Sequence, residues 1–375
     1  MSFSETTERM EAVKRKPLES YSTTFILNIP IFIVIIILGI IGNINLLLIS
    51  RRGRKIVQIP YLILKWMAIS NILLCITYTL NPISHYILNM RRDEMVCQYY
   101  WNIYVGKVNI VFNSTFKKTS FLLTLLLAID RYLALCRPFM YRTELNVKKI
   151  KLSIFLCYLI SIILSFPVYI RNVVVEVSTV NSSTCLLIED TDYACCSTRF
   201  TFKRNPAIDE YISFKYYEII KELTLLALPM ITILYMNFQI VMVYKAKNKI
   251  KDTMMRQNAK STTHNNPPMN EIAGRRRNNS KSSDKQLTLT MIVTSLLMII
   301  TLLPMSFKRI LIIVRFDDSI GISFVVANLI ESLNFCLNFY IFLLLNHDIR
   351  ELCKKLYLPI FEKIGIRNFH ILDKH

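Results

Sequence analysis

Long apolar blocks separated by shorter polar stretches dominate this 375-residue chain. Seven of the blocks exceed twenty residues, the length that a helix needs to cross the hydrocarbon core of a bilayer. A chain in lipid has to satisfy its own backbone polar groups, so each block is predicted to be a helix. The predicted crossings are residues 25–49, 59–82, 103–136, 152–174, 216–244, 286–314 and 320–345.

The pattern predicts an all-α fold, a seven-transmembrane helix bundle with a short amphipathic eighth helix at the inner membrane surface. Residues 1–24 form an extracellular tail without the layout of a cleaved signal peptide, so the first block acts as an uncleaved anchor. The bundle covers residues 25–345 and includes a loop at 245–285, which is too polar to bury a core and is expected to be flexible. Residues 346–375 hold the amphipathic helix and a cytoplasmic tail.

Basic residues are distributed unevenly between the two sets of loops. The chain carries a net charge of +20. The loops at 51–58, 137–151 and 245–285, with the tail after 347, hold more than twice as many Lys and Arg residues as the other set. Such an excess marks the cytoplasmic side of a membrane protein. The N-terminus is therefore predicted outside the plasma membrane and the C-terminus inside, and no nucleic-acid partner is expected.

The nine cysteines divide by predicted compartment. Five lie in apolar helices or on the inner side and are expected to stay reduced; among these, Cys353 on the eighth helix is either a palmitoylation site or a free thiol. Asn181-Ser182-Ser183 is a glycosylation sequon in an outer loop. Oxidation is permitted in the outer loops, and the cysteines there are Cys97, Cys185, Cys195 and Cys196.

Short polar motifs lie at matching places along the crossings. The third crossing ends in Asp130-Arg131-Tyr132, followed by Cys136 and Pro138, and this segment closely resembles the DRY signature of rhodopsin-like G-protein-coupled receptors. The seventh crossing contains Asn338-Phe339-Tyr340-Ile341-Phe342, which is similar to the NPxxY motif with Phe in place of Pro and Tyr. Other positions that match the family are Gly42, Asn43, Asn71, Pro229 and Pro304.

The resemblance covers all seven crossings, and two details are similar to a narrower branch. Asn334 followed by Asn338-Phe339, together with Asn237 eight residues after Pro229, looks like the FMRFamide-type neuropeptide receptors of invertebrates. The family implies a heterotrimeric G protein as partner. It also implies a disulfide from Cys97 to the second outer loop, with Cys185, Cys195 or Cys196 as the open alternatives.

The resemblance implies an activation latch at the inner end of the bundle, formed by Asp130, Arg131 and Tyr132. Asp284, twenty residues before Pro304, stands where the family often places a second acid that holds the arginine. It further implies a polar relay whose central aspartate is replaced by Asn71. Because a neutral site compensates poorly for cation dehydration, no sodium regulation is expected. The relay residues are Asn43, Asn71, Ser120, Asn334 and Asn338.

Ionisable residues fall in the middle of several crossings, where they are expected to be paired or functional. By family register Lys117 faces Glu331 and Lys118 faces Glu222; internal pairing and ligand contact are both open. Lys308 and Arg309 either meet an anionic or amide group of a ligand or extend to the interface. Asn113 replaces the aspartate of amine receptors and Ser332 the lysine of opsins, so neither an amine ligand nor a retinal Schiff base is expected.

Two departures concern the activation machinery. Thr301-Leu302-Leu303-Pro304 lacks the aromatic of the family's CWxP motif, and the fourth crossing has no tryptophan, with Tyr158 as its candidate replacement. The function that follows is a receptor for an extracellular peptide. A receptor for a small molecule, as in chemosensation, is the alternative, and a transporter is disfavoured because repeats and Gly-rich helices are absent. No enzyme activity, cofactor or metal is expected, because no nucleophile motif or metal-ligand spacing is present.

Overall fold

The structure of the chain is a computed structural model. It describes residues 18–52, 58–90, 100, 103–180, 196–204, 216–217, 219–221, 224, 227–261, 271–313 and 322–363. The helices are α1 (Leu18–Arg52), α2 (Gln58–Met90), α3 (Ile110–Cys136), α4 (Pro138–Glu144), α5 (Val147–Ile163), α6 (Phe166–Arg171), α7 (Leu228–Ser261), α8 (Glu271–Ile313), α9 (Ile322–Leu345) and α10 (His347–Lys363).

The predicted number of crossings is confirmed within the described ranges. Seven helical stretches are long and apolar enough to span a membrane, and α5 and α6 together provide the fourth. A π-helical turn precedes α3 and lengthens the third span. The spans are Pro30–Arg51, Ile59–Leu80, Tyr104–Cys136, Val147–Arg171, Leu228–Lys247, Thr288–Leu311 and Val326–Leu345.

Several helices extend beyond the predicted boundaries. The first, α1, begins at Leu18 inside the predicted tail, whereas α7 continues to Ser261 and α8 begins at Glu271, both inside the loop predicted at 245–285. A helix satisfies its backbone hydrogen bonds within itself, so it can continue past the membrane without a core to pack against. Low apolar content in the loop therefore did not prevent regular structure.

An antiparallel β-hairpin follows α6 on the outer side. Strand β1 (Asn172–Val180) pairs with β2 (Cys196–Arg204), from Asn172 opposite Arg204 to Val180 opposite Cys196. The segment Asn172–Val180 is rich in valine and threonine, which favours a strand, although hydropathy alone predicted only helices. The hairpin places Cys196 at the tip of the described part of the loop.

The helices pack around α3, which contacts α2, α5, α7 and α8. The first and last spans approach each other closely at Gly39, where an added Cβ would lie 2.4 Å from Cys336 Sγ and 3.1 Å from Cys75 Sγ. Any larger residue there would push α1 away from α9. Apolar side chains also fill the inner half, where Phe342 and Ile349 are fully buried.

The eighth helix, α10, is present and packs back onto the bundle. Ile349 and Cys353 are buried, Asn346 Oδ1 accepts from Ile349 N at 3.2 Å, and Tyr357 donates a hydrogen bond to Asn45 of α1. Burial raises the pKa of the Cys353 thiol to about 11. Palmitoylation and a free thiol at Cys353 both stay predictions.

Candidate functional site

A buried ion pair closes the inner end of α3. Arg131 donates to Asp130 Oδ2 from Nε at 2.9 Å and from Nη2 at 2.7 Å, and both side chains are buried. Either charge alone would carry the full desolvation penalty, so each requires the other. Tyr132 is half-buried, and Tyr141 of α4 lies beside the Asp130 carboxylate. We call the Asp130–Arg131 pair the inner latch.

A small cavity lies beside Arg131 between α3, α7 and α8. Asn237 of α7 donates to Ser295 Oγ of α8 at 2.7 Å in its wall, and Thr288 lines the same space. Sequence reasoning missed Ser295 and Thr288, although polar residues recurring on one face of an otherwise apolar helix are a usable signal. The side chain of Asp284 lies outside the described residues, so its contact with Arg131 stays a prediction.

A chain of side-chain hydrogen bonds joins α1, α2, α3 and α9. Asn43 Nδ2 donates to the carbonyls of Gly39 at 2.8 Å and Phe335 at 3.0 Å. Asn71 Nδ2 donates to Asn43 Oδ1 at 3.2 Å, and Asn71 Oδ1 accepts from Ser120 Oγ at 2.6 Å. Three of the predicted relay residues are therefore connected directly. Both functional ends of each asparagine amide are used, which fixes its orientation.

The other two predicted relay residues lie on α9. Asn334 and Asn338 are buried, but in the described part of the chain neither makes a side-chain hydrogen bond to the other three. One turn further along α3, the Thr124 hydroxyl donates to the Ser120 backbone carbonyl at 2.9 Å. The structure thus connects part of the predicted set and places the remainder nearby on the last span.

Three charged side chains meet in the outer half of the bundle. Glu331 of α9 is 2% exposed; its Oε2 lies 2.6 Å from Lys117 Nζ of α3 and its Oε1 lies 2.9 Å from Arg309 Nη2 of α8. The contact between Lys117 and Glu331 is the one that family register implied. The contact with Arg309 was not predicted, because α8 and α9 carry no shared sequence signal. We call these three residues the outer triad.

The remaining charged candidates are placed around the outer triad. Lys118 donates to Ser114 Oγ at 2.7 Å, to Ser165 Oγ at 2.8 Å and to the Leu164 carbonyl at 3.2 Å. Its predicted partner Glu222 lies outside the described residues. Lys308 is buried, which differs from the exposed end that interfacial snorkelling would give.

Asn113 and Ser332 stand where amine receptors carry an aspartate and opsins carry a lysine, and the structure shows the contacts of both. Asn113 donates to Thr77 Oγ1 at 3.4 Å, a long contact between α3 and α2. Ser332 is buried, and its hydroxyl donates to the Leu329 carbonyl at 2.7 Å within its own helix. Neither side chain carries a charge toward the centre of the bundle.

Tyr158 and Leu302 stand where the family carries tryptophans, on the fourth and sixth spans. Tyr158 of α5 donates to the Trp66 carbonyl at 3.2 Å, and the two rings form a T-shaped contact at 6.0 Å. Leu302, which stands in place of the family's tryptophan on the sixth span, is buried among Phe121 and Phe335. The centre of the bundle is therefore filled without that tryptophan.

An exposed ion pair lies below the membrane, where α4 meets α5. Lys149 Nζ donates to Glu144 Oε2 at 2.9 Å, and this hydrogen bond together with the ammonium charge holds the pKa of Glu144 below its ordinary value. Asn146 caps α5 by accepting from the backbone N–H of Lys149 at 2.8 Å. Both charged side chains are exposed, so solvent screens their attraction.

Most residues of the predicted modifications fall outside the described ranges. Cys97, Cys185, Cys195 and Asn181 belong to this group, and only the backbone of Cys196 is described. The disulfide and the glycosylation therefore stay predictions. The five cysteines in the helices are free thiols, as expected: Cys75, Cys136, Cys157, Cys336 and Cys353.

Comparison with known proteins agrees with this geometry. A family model described as 7 transmembrane receptor (rhodopsin family) matches residues 42–342. The fold is similar to the crystal structure of squid rhodopsin, with a TM-score of 0.63 and 14% sequence identity over 88% of this chain and 85% of that one. No curated protein matches the sequence. The chain belongs to the rhodopsin family of seven-transmembrane receptors; it is a G-protein-coupled receptor and not an enzyme.

Proposed function

We propose that this receptor lies in the plasma membrane with its N-terminus outside, is activated by a short extracellular peptide, and signals through a heterotrimeric G protein. The inner latch carries the signalling part of the proposal. Arg131 is held by Asp130 beside a cavity bounded by α7 and α8, so a small outward movement of α8 would free the guanidinium and open a space for a partner helix.

The peptide part of the proposal is supported by the outer side of the receptor. The second outer loop contains a β-hairpin and six acidic residues between positions 175 and 215. Such a surface attracts a basic segment, whereas the triad deeper in the bundle presents cationic groups. A peptide extends over several residues, so it can contact the outer loop and the outer triad at the same time. The FMRFamide-type branch is one proposal within this class.

The experiment is a second-messenger assay in transfected cells, with a library of short peptides as the probe and Arg131→Ala as the inactive control. We expect at least one peptide to raise the signal in the wild-type receptor. We expect Arg131→Ala, at equal surface expression, to lose it. A small organic molecule that activates the receptor while every peptide fails would replace the peptide with the chemosensory alternative.

If no signal is seen, the orientation and location of the receptor have to be tested separately from the latch. Surface labelling of an N-terminal epitope on intact cells tests the orientation and the location without any ligand. If the epitope is reached only after permeabilisation, the proposed topology is wrong. If the receptor is on the surface and Arg131→Ala signals as strongly as the wild type does, the proposed latch is wrong.

A further inference from the structure

Two cysteines from different spans meet in front of a glycine of a third span. Cys75 of α2 and Cys336 of α9 are both buried. A Cβ added to Gly39 of α1 would lie 3.1 Å from the sulfur of Cys75 and 2.4 Å from that of Cys336. One thiol is close enough to hydrogen-bond the other. We call these two side chains the dithiol.

One buried side chain holds the backbone on two sides of the dithiol. Asn43 Nδ2 donates to the carbonyl of Gly39 at 2.8 Å and to the carbonyl of Phe335 at 3.0 Å. The Phe335 carbonyl belongs to the peptide bond that joins this residue to Cys336. The two sulfur atoms are therefore kept together by the same amide that takes part in the relay. A site that is already assembled loses little conformational freedom when a ligand binds.

The ligand atoms and their number restrict what the dithiol can bind. Thiolates select soft metal ions such as Cu(I), whereas Mg²⁺ and Ca²⁺ prefer oxygen ligands. Zinc sites use three or four protein ligands, and the described part of the chain contains no group of three or more His, Cys, Asp or Glu side chains that could hold a metal ion. Cu(I) is stable with two sulfur ligands, so it is the ion that fits this pair.

We infer that Cys75 and Cys336 form a binding site for one Cu(I) ion where the first, second and seventh spans meet. The sequence gave no reason to expect a metal, because the two cysteines are far apart in the chain. One thiol releases its proton when the ion binds and the other coordinates through a lone pair. The complex therefore adds no net charge to a region where isolated charge is costly. The bound ion ties α2 to α9, and the inference does not depend on the peptide proposal.

The test measures Cu(I) uptake by the full-length receptor in lipid nanodiscs, under anaerobic and reducing conditions. Cu(I) is supplied as its coloured complex with bicinchoninate, and the loss of colour reports transfer to the protein. We expect the wild type to take up one Cu(I) ion more per receptor than the double variant Cys75→Ala with Cys336→Ala. The difference is the relevant quantity, because the chain has nine cysteines and both proteins share the remaining ones. Equal uptake by the two proteins would overturn the inference.

Single variants test whether both sulfur atoms are ligands. Loss of a group that only orients a ligand costs about 10–100-fold in metal affinity, so Cys75→Ala and Cys336→Ala should each weaken Cu(I) binding by about a hundredfold or more. Ala is smaller than Cys and does not crowd Gly39, so both variants are expected to fold. The matched control is Cys157→Ala on α5, which should keep the wild-type affinity. Wild-type affinity in either single variant, or its loss in the control, would overturn the assignment.

A second measurement tests the geometry and the identity of the ion. Cu(I) should raise the thermal unfolding midpoint of the wild type, because it binds the folded state, and should leave that of the double variant unchanged. Gly39→Ala, whose methyl group would displace the Cys336 thiol, should weaken the effect with both sulfur atoms present. A Zn(II) shift that requires both cysteines, or a Cys75–Cys336 disulfide found by mass spectrometry of the purified receptor, would overturn the Cu(I) assignment. If Gly39→Ala does not fold, the single cysteine variants decide the result.

Discussion

The inner latch and the outer triad are both buried ion pairs on α3, yet they are built in different ways. Asp130 and Arg131 are neighbours in the sequence and form one neutral pair. Lys117 and Glu331 are 214 residues apart, and Arg309 joins them from a third helix. The inner pair is therefore local in the sequence, whereas the outer cluster depends on the packing of three helices.

The two sites are about 21 Å apart along α3, since fourteen residues separate Lys117 from Arg131 and a helix rises about 1.5 Å per residue. The hydrogen-bonded chain through Asn43, Asn71 and Ser120 lies between the two levels. On α8, Arg309 near the outer end contacts Glu331, and Ser295, in the middle of the helix, contacts Asn237 in the wall of the cavity beside Arg131. Both sites can therefore shift the equilibrium between alternative positions of α8.

The largest effect on stability is expected when the carboxylate of the outer triad is removed. Glu331→Gln removes the carboxylate that both Lys117 and Arg309 contact in the outer half of the bundle, and the loss of one partner of a buried pair costs about 3–5 kcal/mol. We expect a clearly lower thermal unfolding midpoint in nanodiscs. The double variant Lys117→Met with Glu331→Gln should recover part of the loss. A Glu331→Gln receptor as stable as the wild type would show that the triad is solvated.

The inner latch should respond in signalling rather than in stability. Asp130→Asn weakens two hydrogen bonds to a charged group, each worth about 1.5–3 kcal/mol, and a change of about 1.4 kcal/mol shifts a two-state equilibrium tenfold. We expect ligand-independent signalling to rise about tenfold or more at equal surface expression. Asp130→Asn combined with Arg131→Ala should be silent. An unchanged basal signal in Asp130→Asn would mean that the pair does not restrain activation.

The hydrogen-bonded chain between the two sites tests whether a neutral amide excludes sodium. In the wild type, replacing sodium with choline at constant ionic strength should leave the unfolding midpoint unchanged, because Asn71 supplies no charge. Asn71→Asp should introduce a sodium-dependent stabilisation of about 1 kcal/mol if sodium is present at several times its dissociation constant. A sodium effect in the wild type would contradict the prediction directly.

The smallest effect is expected at the exposed pair below the membrane. Lys149→Ala should leave the unfolding midpoint unchanged within error at neutral pH, because solvent screens the pair. The lowered pKa of Glu144 means that any contribution is present above the ordinary carboxylate pKa and is lost as the pH falls through the lowered value. Identical pH profiles for Lys149→Ala and the wild type above pH ~5 would agree with this, using the ordinary Glu pKa of about 4.3. A marked loss at pH 7 would show that the pair is part of the packed core.

The sequence by itself determined the seven crossings, their helical character and the Asp130–Arg131 motif. These features depend on residues that are close in the chain, since hydropathy over twenty residues decides a crossing and adjacent residues form the latch. The residues of the relay and the Lys117–Glu331 contact were reached through family register. The excess of basic loops also gave the predicted orientation.

Only the tertiary structure decided which side chains meet across helices. It brought Arg309 to Glu331, joined Asn237 to Ser295, and left Asn334 and Asn338 outside the described hydrogen-bonded chain. It also buried Cys353, where the amphipathic pattern alone left its exposure open. Helices in lipid are similar in hydropathy on several faces, so rotation and depth are set by packing between helices that the local pattern does not specify.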